Sequence, residues 1–255
     1  SSGCVEDDLW ISSKLSLEEG TPIISQYGTG SEIFDLKLPC GGGMKILSLP
    51  NPSKTMLKEI LNKLKNRSPI GVSINLSNGL IEISDPIDKP MSDNIFNFNL
   101  MPETQFIVMG TGAETYSFSS LATAAGYNVK LLSPDTALIK DVSFLECDSY
   151  YLSSSESFPE LVIDKWTAIV LFFHDHDWEP PLLKRMLESN AFYIGAQGSK
   201  SAHSDLLNKL EEMGSTKLEL SRLRKQIGLI PSARNPRILA ISVLADVIDK
   251  SIKTY

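Results

Sequence analysis

The sequence predicts an α/β protein, in which a C-terminal Rossmann-type parallel-sheet domain follows an N-terminal mixed, mainly antiparallel α+β domain. From residue 103 onward, short apolar runs alternate with helical segments, an order typical of a parallel sheet covered on both faces. A glycine turn, Gly110-Thr111-Gly112, joins the first of those runs to the first helix. Before residue 85, glycine clusters and an Asn-Gly turn signal separate the apolar runs, which favours antiparallel hairpins. With 255 residues, the chain is long enough for two hydrophobic cores.

The N-terminal domain is predicted to cover residues 1–84. Helices are expected over 5–19 and 53–66, and strands over 23–27, 32–38, 44–49, 70–76 and 80–83. Residues 85–102 hold three prolines and little periodicity, so they are predicted to be a linker.

The C-terminal domain is predicted to cover residues 103–255. Its strands are expected over 105–109, 128–132, 149–152, 168–173 and 191–194. Its helices are expected from the glycine turn to Gly126 and over 181–189, 201–213, 218–225 and 236–252.

Composition disfavours several classes of partner. The net charge is −7 and no long run of Lys and Arg is present, so binding to nucleic acid or to a membrane surface is not expected. No apolar stretch is long enough to cross a bilayer. Three scattered cysteines favour a reducing, cytoplasmic setting over a disulfide framework. The chain starts at Ser1 as though inside a loop, so further sequence is expected before it.

The glycine turn is the first candidate binding site. Gly110 permits a tight strand-to-helix turn, Gly112 lets the backbone approach an anion, and Thr111 lies between them at a helix N-terminus with free N–H groups. Thr115 replaces the third glycine of the full dinucleotide fingerprint, so an ordinary tight βα turn is the alternative interpretation.

The end of the second strand weakens the prediction of a nicotinamide cofactor. Ser133 stands where an acidic side chain would hold the ribose, and Asp135 could replace that acid only if the backbone bends. No arginine is close in sequence to hold a 2′-phosphate. NAD(P) is therefore the weaker cofactor prediction, and a Rossmann-type NAD(P)-dependent oxidoreductase is kept as the alternative function.

Four titratable residues, His174, Asp175, His176 and Asp177, follow an apolar strand. The carboxyl end of a parallel strand faces the crevice where ligands bind. Two imidazoles beside two carboxylates can share protons, coordinate a metal or orient an anion. The alternative is that one histidine caps the next helix and the other residues are solvated. No further ligands stand at a spacing typical of zinc sites, so the metal content stays open.

Two later strand-to-helix passages also carry polar residues. Gly195 and Gly198 precede Ser199, a candidate N-cap, and His203 lies in the first turn of the next helix. Arg234 comes just before the last helix and could hold a phosphate or carboxylate with two hydrogen bonds. Each passage alone is typical of helix capping. Together with the glycine turn, they indicate a rim around a single polar ligand.

The cysteines are the last candidates. Cys4 and Cys40 adjoin glycine, which gives the backbone access that a reactive thiol needs. The equally weighted alternative is a small buried side chain. Cys147 is predicted to be structural.

Together these passages resemble the xanthine dehydrogenase accessory factor family, XdhC/CoxI. The resemblance lies in GCVE at 3–6, PCGGG at 39–43, GTG at 110–112, FFHDHD at 172–177, YIGAQGSKSAH at 193–203 and GLIPSARNP at 228–236. Their order and spacing cover essentially the whole chain.

The resemblance implies a protein that binds the molybdenum cofactor (molybdopterin), protects it while a desulfurase supplies sulfur, and hands it to a xanthine dehydrogenase-type enzyme. It implies a chaperone more than an enzyme, and a homodimer. The glycine turn and helix N-termini would hold the pterin phosphate. His174, His176 and the thiol of Cys4 or Cys40 would face the molybdenum.

Two departures from the family pattern predict an altered mode of cofactor binding. The family usually has His where this chain has Ala113, and Asp-Pro-Arg where this chain has Ser133-Pro134-Asp135. A binding module that has lost its ligand is the third functional interpretation. Titration with the cofactor would identify such a module, because it would bind nothing.

Overall fold

A computed structural model describes residues 5–29, 42–88, 92, 94–175 and 177–254. The chain divides into two compact units, Ser1–Pro102 and Glu103–Tyr255, called here the N-terminal and C-terminal units. The N-terminal unit contains α1 (Glu6–Glu19), β1 (Ile23–Gly28), β2 (Gly43–Ser48), α2 (Lys54–Lys65), β3 (Ile70–Asn75), β4 (Ile81–Ser84) and β5 (Ile95–Leu100). The C-terminal unit contains β6 (Gln105–Gly110), α3 (Gly112–Ala124), β7 (Asn128–Ser133), α4 (Thr136–Val142), β8 (Asp148–Tyr151), β9 (Thr167–Phe172), α5 (Glu179–Leu187), β10 (Tyr193–Ala196), α6 (Lys200–Glu212), α7 (Lys217–Leu220) and α8 (Pro236–Thr254).

The N-terminal unit is built from two antiparallel sheets. β1 pairs with β2, and β3 lies between β4 and β5. Ile70 and Val72 of β3 are buried and pack with apolar residues of α2 such as Ile60 and Leu64. The antiparallel pairing predicted for this part of the chain is therefore observed in the described residues. The strand predicted over 32–38 lies outside them.

The prediction that residues 85–102 form a linker is wrong for Ile95–Leu100. This segment forms β5 and pairs with β3 along its whole length. Phe96, Phe98 and Leu100 alternate with asparagines, which is the period-two pattern of a strand. Phe98 and Leu100 pack on the core of this unit. The nearby prolines and polar residues obscured that alternation in the sequence.

The C-terminal unit is a parallel sheet covered by helices on both faces, which confirms the predicted Rossmann-type fold. Its strand order is β10-β9-β6-β7-β8, and every neighbouring pair is parallel. β6 and β9 are buried along their whole length, as central strands of such a sheet must be. α3 and α8 contribute to the core on one face, and α5 and α6 to the core on the other. Among the described residues, no helix combines the length and the hydropathy that crossing a membrane requires.

The observed helices differ from the predicted ones in two places. α7 ends at Leu220, whereas the sequence predicts a helix over 218–225. Beyond α7 the chain turns along β10, where Leu223 forms a parallel bridge to Ile194 and Arg224 N donates to Ile194 O. α4 was not predicted. It begins after Asp135, whose side chain accepts hydrogen bonds from two backbone N–H groups of the first turn.

Hydrogen bonds to Asp246 of α8 hold the segment after α7 in place. Its carboxylate is 4% exposed and accepts hydrogen bonds from Tyr193 Oη at 2.7 Å, Arg224 Nη2 at 3.0 Å and Gly228 N at 3.1 Å. Burial, and then the hydrogen bond to Asp246, raise the pKa of the Tyr193 hydroxyl, so it remains a donor. This buried network positions the chain that leads to Arg234.

Candidate functional site at the switch point of the parallel sheet

The strand order reverses between β6 and β9. The chain runs outward from β6 to β7 and β8, then returns to β9 and continues to β10 on the other side. Ligands of open α/β sheets bind at such a switch point, outside the carboxyl ends of the strands. The glycine turn follows β6, and His174 follows β9 after one intervening residue, so both lie at this point.

The glycine turn is shaped by packing of β6 against β9. A Cβ atom at Gly110 would overlap the backbone oxygen of Phe172 and lie 2.6 Å from Thr115 Oγ1. Thr111 N donates to Phe172 O at 3.2 Å, which ties the turn to β9. Gly112 has a φ of +74°, which a side chain would strain. The two glycines therefore meet different requirements, close packing at Gly110 and left-handed backbone at Gly112.

Thr115 takes the place of the third glycine without disrupting the turn. Its side chain is fully buried, and Oγ1 donates to Thr111 O at 2.9 Å. Thr111 is the N-cap residue of α3, but its own side chain makes no capping hydrogen bond. The hydroxyl of Thr115 thus stabilises the turn through a hydrogen bond to its backbone. The start of α3 has no side-chain cap from Thr111.

A carboxylate and an imidazole meet directly above the turn. Glu114 Oε2, in the first turn of α3, lies 3.2 Å from His174 Nε2. The Glu114 side chain is 14% exposed and the His174 side chain is 63% exposed. A Cβ at Gly112 would lie 3.7 Å from Glu114 Oε2 and 3.9 Å from the His174 ring. Glu114 was not among the predicted site residues, although an acidic residue in the first helical turn after a glycine loop is a recognisable signal.

The other residues that follow β9 do not converge on this pair. Asp175 Oδ1 accepts from Asp177 N at 3.1 Å, which is a local turn contact. Asp177 is 89% exposed and lies 3.5 Å from Lys209 Nζ. His176 lies outside the described residues. Among the residues that are described, no three His, Cys, Asp or Glu side chains form a group that could hold a metal ion.

The end of β7 offers no carboxylate for a ribose. Ser133 is fully buried, and its Oγ accepts from Asp135 N at 3.0 Å. Asp135 Oδ1 accepts from Ala137 N at 2.9 Å and from Leu138 N at 3.1 Å, so it serves as the N-cap of α4. Both side chains are engaged where a dinucleotide would need an acceptor, which favours a ligand other than NAD(P).

The candidate residues at the end of β10 and in the segments beyond it have separate roles. Gly195 is buried, and a Cβ there would overlap Ile227 Cγ2, so its role is packing. Gly198, Ser199 and Arg234 line an open cleft. Ser199 also caps α6, as predicted, by accepting from Ala202 N at 3.1 Å. His203 is half-buried, and burial followed by the charge of a neighbouring lysine lowers its pKa.

Cys147 is the one cysteine among the described residues. Cys4 and Cys40 lie outside the described residues. Cys147 is half-buried, and burial raises the pKa of its thiol to about 11. A thiol with this pKa is protonated at neutral pH and is a poor nucleophile, in agreement with a structural role.

Comparisons with known proteins place the chain in a family. Residues 106–247 match the family described as the XdhC Rossmann domain. The chain is 31% identical over 248 residues to the molybdenum cofactor insertion chaperone PaoD of Escherichia coli (strain K12), covering 97% of this chain and 72% of that protein. It is 24% identical over 160 residues to a protein of Bacillus subtilis (strain 168) named as a probable xanthine dehydrogenase subunit, covering 61% of this chain and 45% of that one.

A solved structure has the same fold. The crystal structure described as a xanthine dehydrogenase from Bacillus halodurans matches with a TM-score of 0.78 at 20% identity, covering 100% of this chain and 82% of that chain. The family match spans more than half of the sequence, and the identity to PaoD extends over nearly all of it. This chain is therefore a member of the XdhC family.

Proposed function

We propose that this protein binds the molybdenum cofactor and delivers it to a molybdenum hydroxylase of the xanthine dehydrogenase type. The observation that carries the proposal is the 31% identity, over 97% of the chain, to a protein named as a molybdenum cofactor insertion chaperone. The Bacillus subtilis relative is named as a probable xanthine dehydrogenase subunit, which supports a client enzyme of that class. A desulfurase as sulfur donor and a homodimeric state are proposed from the family resemblance.

The site at the switch point suits a carrier. The Glu114 carboxylate orients the His174 imidazole, and in the described part of the chain His174 has no hydrogen-bond partner other than Glu114. The other ring nitrogen is therefore available to a ligand lying over Gly110-Thr111-Gly112. Because the His174 side chain is 63% exposed, a bound cofactor would stay accessible to a client enzyme. The molybdenum centre carries the redox chemistry in the client, and this chain supplies binding and orientation.

The family resemblance extends the proposed site beyond the described residues. We propose that His174 and His176, together with Cys4 or Cys40, face the molybdenum end of the cofactor. For His176 and the two cysteines the proposal rests on the sequence alone. The proposed rim lies at the ends of β9 and β10 and in the segments beyond them. Its members are Gly198, Ser199, His203 and Arg234, with Asp175 and Gly195 in supporting positions.

The binding step is tested by purifying the protein from molybdenum-replete cells and from cells unable to make the cofactor. Protein from the replete cells is expected to release a molybdopterin derivative, identified by mass spectrometry, in an amount that approaches one per chain. Absence of any pterin in the replete preparation would contradict the proposal. Saturable NADH binding with hydride transfer to a carbonyl substrate would support the oxidoreductase alternative instead.

The Glu114–His174 pair is expected to affect cofactor retention and not stability. Replacing both residues with Gln should cost at most about 1 kcal/mol, because the His174 side chain is 63% exposed and a pair with one solvated partner contributes little. The amount of bound cofactor should fall clearly, because the variant lacks both the imidazole that faces the ligand and the carboxylate that orients it. Melting temperature and cofactor content are measured on the same preparations.

The matched control is Asp177→Asn with Lys209→Gln. This pair also follows the end of β9, but it is exposed and joins that segment to α6 instead of to the first turn of α3. It should change neither the melting temperature nor the cofactor content. A large loss of stability with full cofactor content in the Glu114–His174 double variant would assign that pair a structural role.

A further inference from the structure

A second polar site lies beyond the carboxyl end of β10. It is an open cleft of about 500 Å³. The polar side chains that line it include Gln197, Ser199, Lys200, Lys225, Ser232 and Arg234. Lys200 and Lys225 were not among the predicted site residues. They come from segments 25 residues apart, and only Lys200 lies in a passage that resembles the family.

The cleft concentrates positive charge. Lys200, Lys225 and Arg234 line it, and none of its described lining residues is Asp or Glu. Within the described ranges, these three cations have no ion-pair partner. The chain as a whole has a net charge of −7, so this accumulation is opposite in sign to the rest of the molecule. An anionic ligand would be attracted here.

The dipoles of two helices reinforce the charge. α6 begins at the cleft wall after Ser199, and α8 begins just after Arg234, with Asn235 Oδ1 accepting from Arg237 N at 3.0 Å. Helices of 13 and 19 residues present the positive ends of their dipoles at these positions. The cleft thus offers guanidinium, ammonium, hydroxyl and amide groups to one ligand.

The glycine turn presents the opposite charge. The nearest heavy atoms that a Cβ at Gly112 would meet belong to Glu114 and His174. A phosphate at the turn would therefore lie beside the Glu114 carboxylate, whose side chain is only 14% exposed and cannot readily leave. The turn suits a neutral or hydrogen-bonding part of a ligand better than a dianion.

We propose that the phosphate of the bound cofactor lies in the Lys200–Lys225–Arg234 cleft, and not at the glycine turn. This inference rests on the proposed function. β10 lies two strands from β6, and neighbouring strands are about 4.8 Å apart, so the two sites are separated by about 10 Å across the sheet. One elongated ligand can reach both. The recognised chemistry is a phosphate monoester or diphosphate, carried either by the pterin cofactor or by a free nucleotide.

Pyrophosphate is the first probe, titrated calorimetrically into cofactor-free full-length protein. Lys225→Ala combined with Arg234→Ala should weaken its affinity about tenfold to hundredfold, since hydrogen bonds from two charged groups are lost. Lys209→Ala, on an exposed part of α6, is the control and should bind like the parent. Unchanged binding in the Lys225–Arg234 variant, or loss of binding in Gly112→Ala, would overturn the inference.

Binding of pyrophosphate and AMP is compared between loaded and cofactor-free protein. This comparison shows whether the cleft holds the phosphate of the pterin cofactor or that of a free nucleotide. If the cofactor phosphate fills the cleft, loaded protein should bind neither probe, while cofactor-free protein binds both. Equal binding by the two preparations would overturn the assignment to the cofactor. If protein from molybdenum-replete cells carries no pterin but binds AMP through Lys225 and Arg234, the proposed function fails and the cleft is a nucleotide-phosphate site.

Discussion

Asp246→Ala is expected to destabilise the C-terminal unit by about 3 kcal/mol or more. The carboxylate is 4% exposed and accepts from Tyr193 Oη and Gly228 N. The buried Tyr193 hydroxyl and the partly buried Gly228 N–H would be left without an acceptor, at roughly 1–3 kcal/mol for each unsatisfied group. Arg224 adds little to the loss, because its side chain is 40% exposed and can turn to solvent.

The matched control lies on the same helix. Asp249 makes an exposed i,i+4 pair with Lys253 at 2.6 Å, so Asp249→Ala should cost about 0.5 kcal/mol or less. Asp246→Asn should fall between the two, since one carbonyl oxygen can still accept. Urea unfolding of the three variants measures the differences. Equal losses for Asp246→Ala and Asp249→Ala would show that the buried network contributes little to stability.

Gly110→Ala is expected to cost the C-terminal unit about 3 kcal/mol or more, at or above the range of roughly 1–3 kcal/mol for ordinary overpacking. The added methyl group would overlap the backbone oxygen of Phe172 and lie 2.6 Å from Thr115 Oγ1. Both partners are fixed, one in a central strand and the other as a buried side chain that donates to Thr111 O. Relief would require β6 and β9 to move apart.

Gly126→Ala separates this clash from backbone strain. Gly126 has a φ of +88°, but a Cβ there would meet no atom within 4 Å. It should therefore cost only about 1–2 kcal/mol for left-handed backbone. The thermal unfolding of the two variants, followed by near-ultraviolet circular dichroism, gives the comparison. A Gly110→Ala protein as stable as Gly126→Ala would mean that the β6–β9 contact has room for a methyl group, against this account.

Features that depend on residues close together in the sequence were predictable. The alternation of strands and helices after residue 103 indicated the parallel sheet, and the glycine turn was placed correctly between β6 and α3. Ser199 as an N-cap followed from residue type and position. β5 was missed because proline and asparagine in its neighbourhood outweighed a short alternation of apolar residues.

Features that depend on distant residues were not predictable. Glu114 and His174 are 60 residues apart in sequence, and the parallel pairing of β6 with β9 brings them together. The cleft likewise joins Lys200, Lys225 and Arg234 from separate segments. Conversely, the adjacent residues His174, Asp175 and Asp177 looked like one cluster but make separate contacts. Neighbours at the end of a strand point in different directions, so adjacency in sequence overstates how far they act together.

The most direct test of the proposed function is transfer of the cofactor to a client. Protein loaded in molybdenum-replete cells is mixed with a xanthine dehydrogenase-type enzyme that lacks its cofactor, and molybdenum is quantified on both proteins as activity is followed. The client should gain activity in proportion to the molybdenum that it receives and that this chain loses. A loaded chain that keeps its molybdenum while the client stays inactive would contradict a role in delivery.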